Sequence, residues 1–191
     1  MDMEWLKSGA LIGSFVYALM GVIIFVLSFV IIDKLTPYDL WLEIVEKQNR
    51  ALALVVAAMS LGIANAAMQC SLDWVRERQI GPKPLAAYQG TQWRLAEMYA
   101  QLEGARMLTW KAAVRRDSGE RFSLDSATAK LVAAESAGFI TDAALQLHGG
   151  YGYIRDLPLE RYVRDARILR IFEGTSEVQK IIISRGLLEA R

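Results

Sequence analysis

A chain of 191 residues suits one ordinary domain, or a small domain with an appendage. Its formal net charge of +1 gives no electrostatic argument for a nucleic-acid partner, and none is expected. The single cysteine, Cys70, excludes an internal disulfide, and one cysteine with one histidine cannot build a zinc site, so no metal is expected either.

Gly9 to Ile32 carry no charge and are rich in Val, Ile, Leu and Phe. As a helix this run would measure about 36 Å, enough to cross a ~30 Å hydrocarbon core. Asp33-Lys34 follow where a signal peptide would place small residues, so the run predicts a membrane anchor; the alternative is a buried helix of a soluble core. Leu35-Thr36-Pro37 breaks the helix, and residues 38–50 are amphipathic and charged. A second uncharged run goes from Ala51 to Leu72, apolar to residue 64 except for Ser60, then interrupted by Asn65, Gln69 and Ser71. It suits either a second span or a buried bundle helix. Lys34, Lys47 and Arg50 follow the first run and Lys7 precedes it, a bias that places residues 33–50 in the cytosol. With a single span the rest of the chain lies on the cytoplasmic side; with two it lies outside.

From Ser71 onward the pattern is that of a helical bundle. Within 85–114, Leu95, Met98, Leu102, Ala105, Leu108 and Ala112 recur every three or four residues, the helical period. Pro82 and Pro84 precede this helix, and Asp117-Ser118-Gly119 ends it. A further helix is predicted over 124–148, with Ser123 as a possible N-cap and Gly149 at its C-terminal end. A shorter one covers 159–171, and the last starts near Ser176, where Ser176-x-x-Gln179 fits a capping box. No segment alternates with period two, so no sheet is expected. The predicted fold class is all-α: a transmembrane helix or helical hairpin over 1–64, then an antiparallel four-helix-type bundle over 65–191.

Three features could carry chemistry. Gly149-Gly150-Tyr151-Gly152 ends a helix with residues free to adopt positive φ, either as plain termination or as backbone that approaches a phosphate. Arg161, Arg164, Arg167 and Arg170 form a winding basic stripe, either a solvated face balanced by Glu160 and Asp165 or a guide for a phosphorylated cofactor. Glu173 lies between Ile171-Phe172 and Gly174, an apolar setting that suits a carboxylate to general-base work, although a lone Glu is more often structural. His148, at a helix end, reads as structural.

The motifs Arg76-Glu77-Arg78, Pro84-Leu85-Ala86-Ala87-Tyr88-Gln89, Leu95-Ala96-Glu97-Met98, Gln146-Leu147-His148-Gly149-Gly150-Tyr151-Gly152-Tyr153, Arg164-Asp165-Ala166-Arg167 and Phe172-Glu173-Gly174-Thr175-Ser176 occur in one order and spacing. Over about 61–188 they resemble the C-terminal domain of the acyl-CoA dehydrogenases. The resemblance implies FAD as cofactor, an acyl-CoA substrate, an electron-transfer flavoprotein as acceptor and a homo-oligomer, a tetramer, as the active form. It implies that Glu173 is the base that removes the substrate's α-proton. It also implies that Gln146, Gly149 and Gly150 contact the flavin dinucleotide of a neighbouring subunit, that Arg78 pairs with the flavin pyrophosphate, and that Thr175 and Glu177 lie near the adenine end.

The chain also departs from the family. Where the family has Phe-Gly after the Arg78 position, Gly81-Pro82 stand here, and an aromatic contact to the flavin is lost. The family's N-terminal helical domain and middle β-domain have no counterpart in these residues, and Arg50 matches no motif for a substrate-positioning arginine. Residues 1–64, with Lys34-Leu35-Thr36-Pro37, Trp41 and Asn49-Arg50-Ala51, resemble the two-helix hairpin of a family of small bacterial membrane proteins of unknown function. Three expectations follow: a flavin-dependent dehydrogenase module joined near residues 60–64 to a membrane anchor, which binds flavin weakly or not at all by itself because most of the ring-facing site has no counterpart in these residues; a membrane-anchored bundle that binds partners and catalyses nothing; or a membrane protein whose C-terminal bundle is vestigial.

Overall fold

The computed structural model describes residues 50–189 together with Tyr17, Leu19, Met20, Ile23, Ile24 and Leu27. The chain divides into two compact units, Met1–Lys47 and Gln48–Arg191. In the first unit the six described residues are helical and expose their large apolar side chains. The remainder of the Gly9–Ile32 run lies outside the described residues, as do Lys34, Pro37, Trp41 and Lys47.

The second unit is a helical bundle. Its helices are α1 (Arg50–Glu77), α2 (Gln89–Asp117), α3 (Ser123–His148), α4 (Gly150–Tyr153), α5 (Leu159–Ile168) and α6 (Ser176–Glu189). The 51–72 run is one continuous helix within α1. Among the described residues α1 alone is long and apolar enough to cross a membrane. It nevertheless buries Ala57, Ser60, Ala64, Ala67 and Ser71, spaced three and four apart, against the bundle. Ser60 and Ser71 escape the penalty of a buried hydroxyl by donating to the carbonyls of Val56 and Ala67, at 2.7 and 2.9 Å.

Helix α3 is the axis of the bundle and packs against α1, α2, α5 and α6. Its composition explains this. Alanine is the strongest helix former and the smallest side chain that still covers backbone, and Ala129, Ala133, Ala134, Ala137, Ala143 and Ala144 let neighbours approach from several directions. Ile140, Met98, Leu102, Leu159 and Leu169 fill the space between them.

Helices α1 and α3 run the same way. Ser126 Oγ donates to the Arg50 carbonyl at 2.6 Å near their starts, and Trp74 stacks on His148 at their ends. Helix α2 returns antiparallel to both, and α6 runs back along α3, with Ser176 beside Glu135 and Gly186 against Leu124. The described residues form the all-α antiparallel arrangement expected from the sequence, but its first helix starts at Arg50 and not at residue 65.

Local expectations needed correction. A two-stranded antiparallel ladder, β1 (Gln79–Ile80) with β2 (Lys83–Pro84), joins α1 to α2 where no sheet was expected. Ser123 is the first residue of α3, and its hydroxyl is buried without a partner among the described residues instead of capping. The short helix ends at Ile168. Ser176 does not close a capping box, because its hydroxyl donates to Glu135 Oε1 at 2.7 Å; Thr175 caps α6, its Oγ1 accepting from the Val178 amide at 3.3 Å.

Asp125, buried in the first turn of α3, ties α2 to α3 through Lys111 Nζ at 2.9 Å and Arg115 at 2.8 Å. Burial pushes its carboxyl pKa up, but the Lys111 hydrogen bond and the charges of Lys111 and Arg115 outweigh this and hold it below the usual carboxylate value. A folded pKa below the unfolded one means that the stabilisation is complete above the unfolded pKa and is lost as pH falls through the folded one. Asp125→Asn should therefore lower the urea midpoint at pH 7 by an amount worth about 1–2 kcal/mol, since both cations are half exposed, and the deficit should vanish in acid. An equal deficit at pH 7 and in acid would contradict this account.

Candidate functional site

The Gly149 turn sits at the end of α3. Gly149 has φ 59° and ψ −136°, a region closed to residues with a Cβ, and its amide donates to the Gln146 carbonyl at 3.1 Å. Gly152 is glycine for another reason: a Cβ there would lie 2.7 Å from the Leu145 carbonyl oxygen. Gly149 and Gly150 differ from it, because a Cβ on either would meet nothing within 4 Å. Their backbone faces open space.

That space is a cleft of ≈ 570 Å³ between the end of α1 and the Gly149 turn, and Arg78, Gln146, Gly149 and Gly150 all line it. Its floor is aromatic. The Trp74 indole stacks on the His148 imidazole at 4.8 Å, Tyr151 tilts against Trp74 at 5.3 Å, and the Arg78 guanidinium lies 5.8 Å from the Trp74 ring and 5.4 Å from Tyr151. His148 Nδ1 donates to the Ala144 carbonyl at 2.7 Å. Burial lowers its pKa, only partly opposed by that hydrogen bond, so the ring is neutral at pH 7 and Arg78 is the fixed cation of the cleft. Trp74 Nε1 is buried with no hydrogen-bond partner among the described residues. A guanidinium over exposed glycine backbone is a donor set for phosphate oxygens.

Glu173 belongs to a second location. It has φ 53°, the one non-glycine residue with positive φ among those described, and Gly174 follows with φ 86°. A left-handed residue with a Cβ costs about 1–2 kcal/mol, and such strain gathers at functional turns. Glu173 Oε2 is buried with no hydrogen-bond partner among the described residues. The Gly174 carbonyl accepts from Lys130 Nζ at 2.5 Å and from Gln179 Nε2 at 3.2 Å. Thr175 caps α6 and Glu177 lies in its first turn; the exposed Glu177 carboxyl is held below its usual pKa, first by its own backbone amide and then by the Thr175 hydroxyl.

The residues expected to share one site are thus in two groups. Arg78, Gln146, Gly149 and Gly150 line one cleft; Glu173, Thr175 and Glu177 lie on the loop and helix held by the middle of α3. Lys130, which holds the second group, and His148, beside the first, are separated by about 27 Å along the α3 axis. The arginine stripe does not act as one face: Arg164 pairs with Glu160, whereas Arg170 reaches back to Glu135 Oε2 at 3.3 Å and to α3 carbonyls.

Trp74 and Lys130 carry no motif of their own. Trp74 stands one helical turn before Arg78, and Lys130 is a charge flanked by Ala127, Ala129, Ala133 and Ala134 on the buried side of α3. Those placements are the signals that mark them.

The family "Acyl-CoA dehydrogenase, C-terminal domain" matches residues 44–188. The family "Domain of Unknown Function (DUF350)" matches residues 5–81. Acryloyl-CoA reductase (NADH) of Anaerotignum propionicum is 47% identical over 70% of this chain and 34% of its own length. The mitochondrial short-chain specific acyl-CoA dehydrogenase of Bos taurus is 44% identical over 71% and 33%. The structure of butyryl-CoA dehydrogenase from Megasphaera elsdenii superposes with a TM-score of 0.70 at 42% identity, covering 71% of this chain and 36% of that one. The chain spans about a third of the length of these relatives.

Proposed function

Because the chain belongs to the acyl-CoA dehydrogenase family, whose members are FAD-dependent flavoproteins, through its C-terminal domain, we propose that Gln48–Arg191 is the cofactor-clamping module of an α,β-dehydrogenase of acyl-CoA thioesters. The observation that carries this reading is the cleft in which Arg78 stands beside Gly149 and Gly150, glycines whose missing side chains leave space that none of the described residues fills. Arg78 supplies positive charge, and the Gly149-Gly150 backbone and the Gln146 amide supply a surface for the phosphate end of FAD. When bound, FAD accepts the hydride that leaves the substrate's β-carbon.

Glu173 is the base in this proposal. Its unpartnered Oε2 takes the α-proton of the thioester, and the positive φ of Glu173 and Gly174 fixes the direction from which the carboxylate approaches. Thr175, which caps α6, and Glu177 in its first turn would hold the adenine end of the cofactor, as the family resemblance implies. Short acyl chains are the substrate class, since the relatives named above act on acryloyl-, butyryl- or short-chain acyl-CoA. The two groups serve different copies of the cofactor, so the unit works as a homo-oligomer and passes electrons to an electron-transfer flavoprotein. The unit Met1–Lys47 anchors it to a membrane with the bundle on the cytoplasmic side, supported by the uncharged Gly9–Ile32 run and by the exposed apolar side chains of Tyr17, Leu19, Ile23 and Leu27.

Titration of the full chain in detergent with FAD tests the reading. Quenching of flavin fluorescence that saturates only at high FAD is expected, weak because the chain spans about a third of the length of its relatives, with bleaching of the bound-flavin absorbance on addition of butyryl-CoA. A chain that binds no FAD at millimolar concentration would be the partner-binding bundle instead.

A further inference from the structure

Helix α3 grips the loop that carries Glu173 at three points. Arg170, before the loop's tip, lies across α3 on the carbonyls of Ala134 and Glu135, at 3.5 and 3.3 Å. Gly138 makes room for it, since a Cβ there would fall 1.7 Å from Arg170 Nη2. Beyond the tip, Ser176 Oγ donates to Glu135 Oε1, and the Ser176 amide closes the loop on the Arg170 carbonyl at 3.1 Å. The third grip is Lys130 Nζ on the Gly174 carbonyl, the peptide directly after Glu173.

The charged groups of the first two grips, Arg170 and Glu135, are partly open to water. Lys130 is different: it is completely buried, and an ammonium is costly to bury unless it is paired. The carboxylates that act on it come from each element around it: Glu135 on α3, Glu173 on the loop and Glu177 on α6. No carboxylate stands within 4 Å of Nζ among the described residues, so the carbonyl of Gly174 is its direct partner, and the charges of Glu173 and its neighbours compensate at longer range. A methionine of similar length would fill the same space without a charge to bury.

We infer that Lys130 is a positioning residue for Glu173: it latches the Gly174 carbonyl so that the left-handed Glu173-Gly174 pair holds one geometry, and its charge acts at longer range on the half-buried Glu173 carboxylate, whose Oε2 has no hydrogen-bond partner among the described residues. The inference rests on the proposed role of Glu173 as base, but its test does not need flavin or turnover. It also gives a reason for a fully buried charge in the alanine-rich part of α3.

The test compares the full chain in detergent with Lys130→Met and Lys130→Arg, using two readouts. Amide hydrogen exchange should accelerate at least tenfold at Ser176, Val178 and Gln179 in Lys130→Met, while the buried α1 amides keep their protection. The Glu173 carboxylate stretch, isolated as the infrared difference between each chain and its Glu173→Gln counterpart, should move in Lys130→Met and return toward its original position in Lys130→Arg. Should Lys130→Met not fold, Lys130→Gln, which keeps a donor but no charge, is read the same way on the carboxylate stretch. An unmoved stretch, or exchange that rises equally in α1 and α6, overturns the inference. Absence of flavin bleaching with both readouts as expected would refute the dehydrogenase reading alone.

Discussion

Glu173→Gln is expected to stop the bleaching of FAD-loaded chain by butyryl-CoA, slowing it about 10²–10⁴-fold, the usual contribution of a positioned general base. The amide has nearly the same volume, and the backbone at Glu173 already tolerates a side chain at φ 53°, so the turn should keep its shape. What changes is the atom that must accept the proton. Among the described residues Glu173 Oε2 has no donor competing for it, so in the proposed reaction the carboxylate would not first have to break a hydrogen bond. FAD affinity and the thermal midpoint should be nearly unchanged. Stopped-flow absorbance at the flavin band, with FAD saturating, reads the effect directly, and bleaching at the parental rate would remove Glu173 from the role of base.

The second large effect is expected at Gly149. Valine there would be forced to φ 59° and ψ −136°, a conformation that a β-branched residue avoids, at a cost of about 1–3 kcal/mol. No clash adds to that cost, because a Cβ at this position meets nothing within 4 Å among the described residues. Its methyl groups would occupy the open face of the cleft, so FAD affinity should fall as stability does. Gly150→Ala separates the two consequences. Gly150 has an ordinary φ and an equally open surround, so the alanine should leave the urea midpoint within about 0.5 kcal/mol of the parent and still weaken FAD. Unchanged FAD affinity in Gly150→Ala would show that the cleft is not where the cofactor's phosphates lie.

Much of the bundle was legible because long helices announce themselves by period. The recurrence from Leu95 to Ala112 and the alanine-rich run after Leu124 gave α2 and α3 within a few residues. The β1–β2 ladder was not, since two-residue strands are too short to show alternation. The cap of α6 was misplaced by one residue because Thr175 and Ser176 are both competent caps, and the choice depends on Glu135, distant in sequence, engaging the Ser176 hydroxyl. For α1, hydropathy alone could not separate a span from a bundle helix; the three-and-four spacing of its buried Ala and Ser residues identifies the face that packs. Arg78, Gln146, Gly149 and Gly150 were legible only through a family pattern, whereas the Trp74 stack and the Lys130 latch depend on which helices become neighbours.

The distance along α3 between the Lys130 latch and the glycine turn has a genetic meaning. If the carboxylate of one copy works on a cofactor clamped by the glycines of another, defects at the two ends are not equivalent when they meet in one cell. A copy lacking the base still lends its clamp, and a copy lacking the clamp still lends its base. Alleles at Glu173 and at Gly149, each inactive alone, would then fall into separate complementation groups although they lie in a single reading frame.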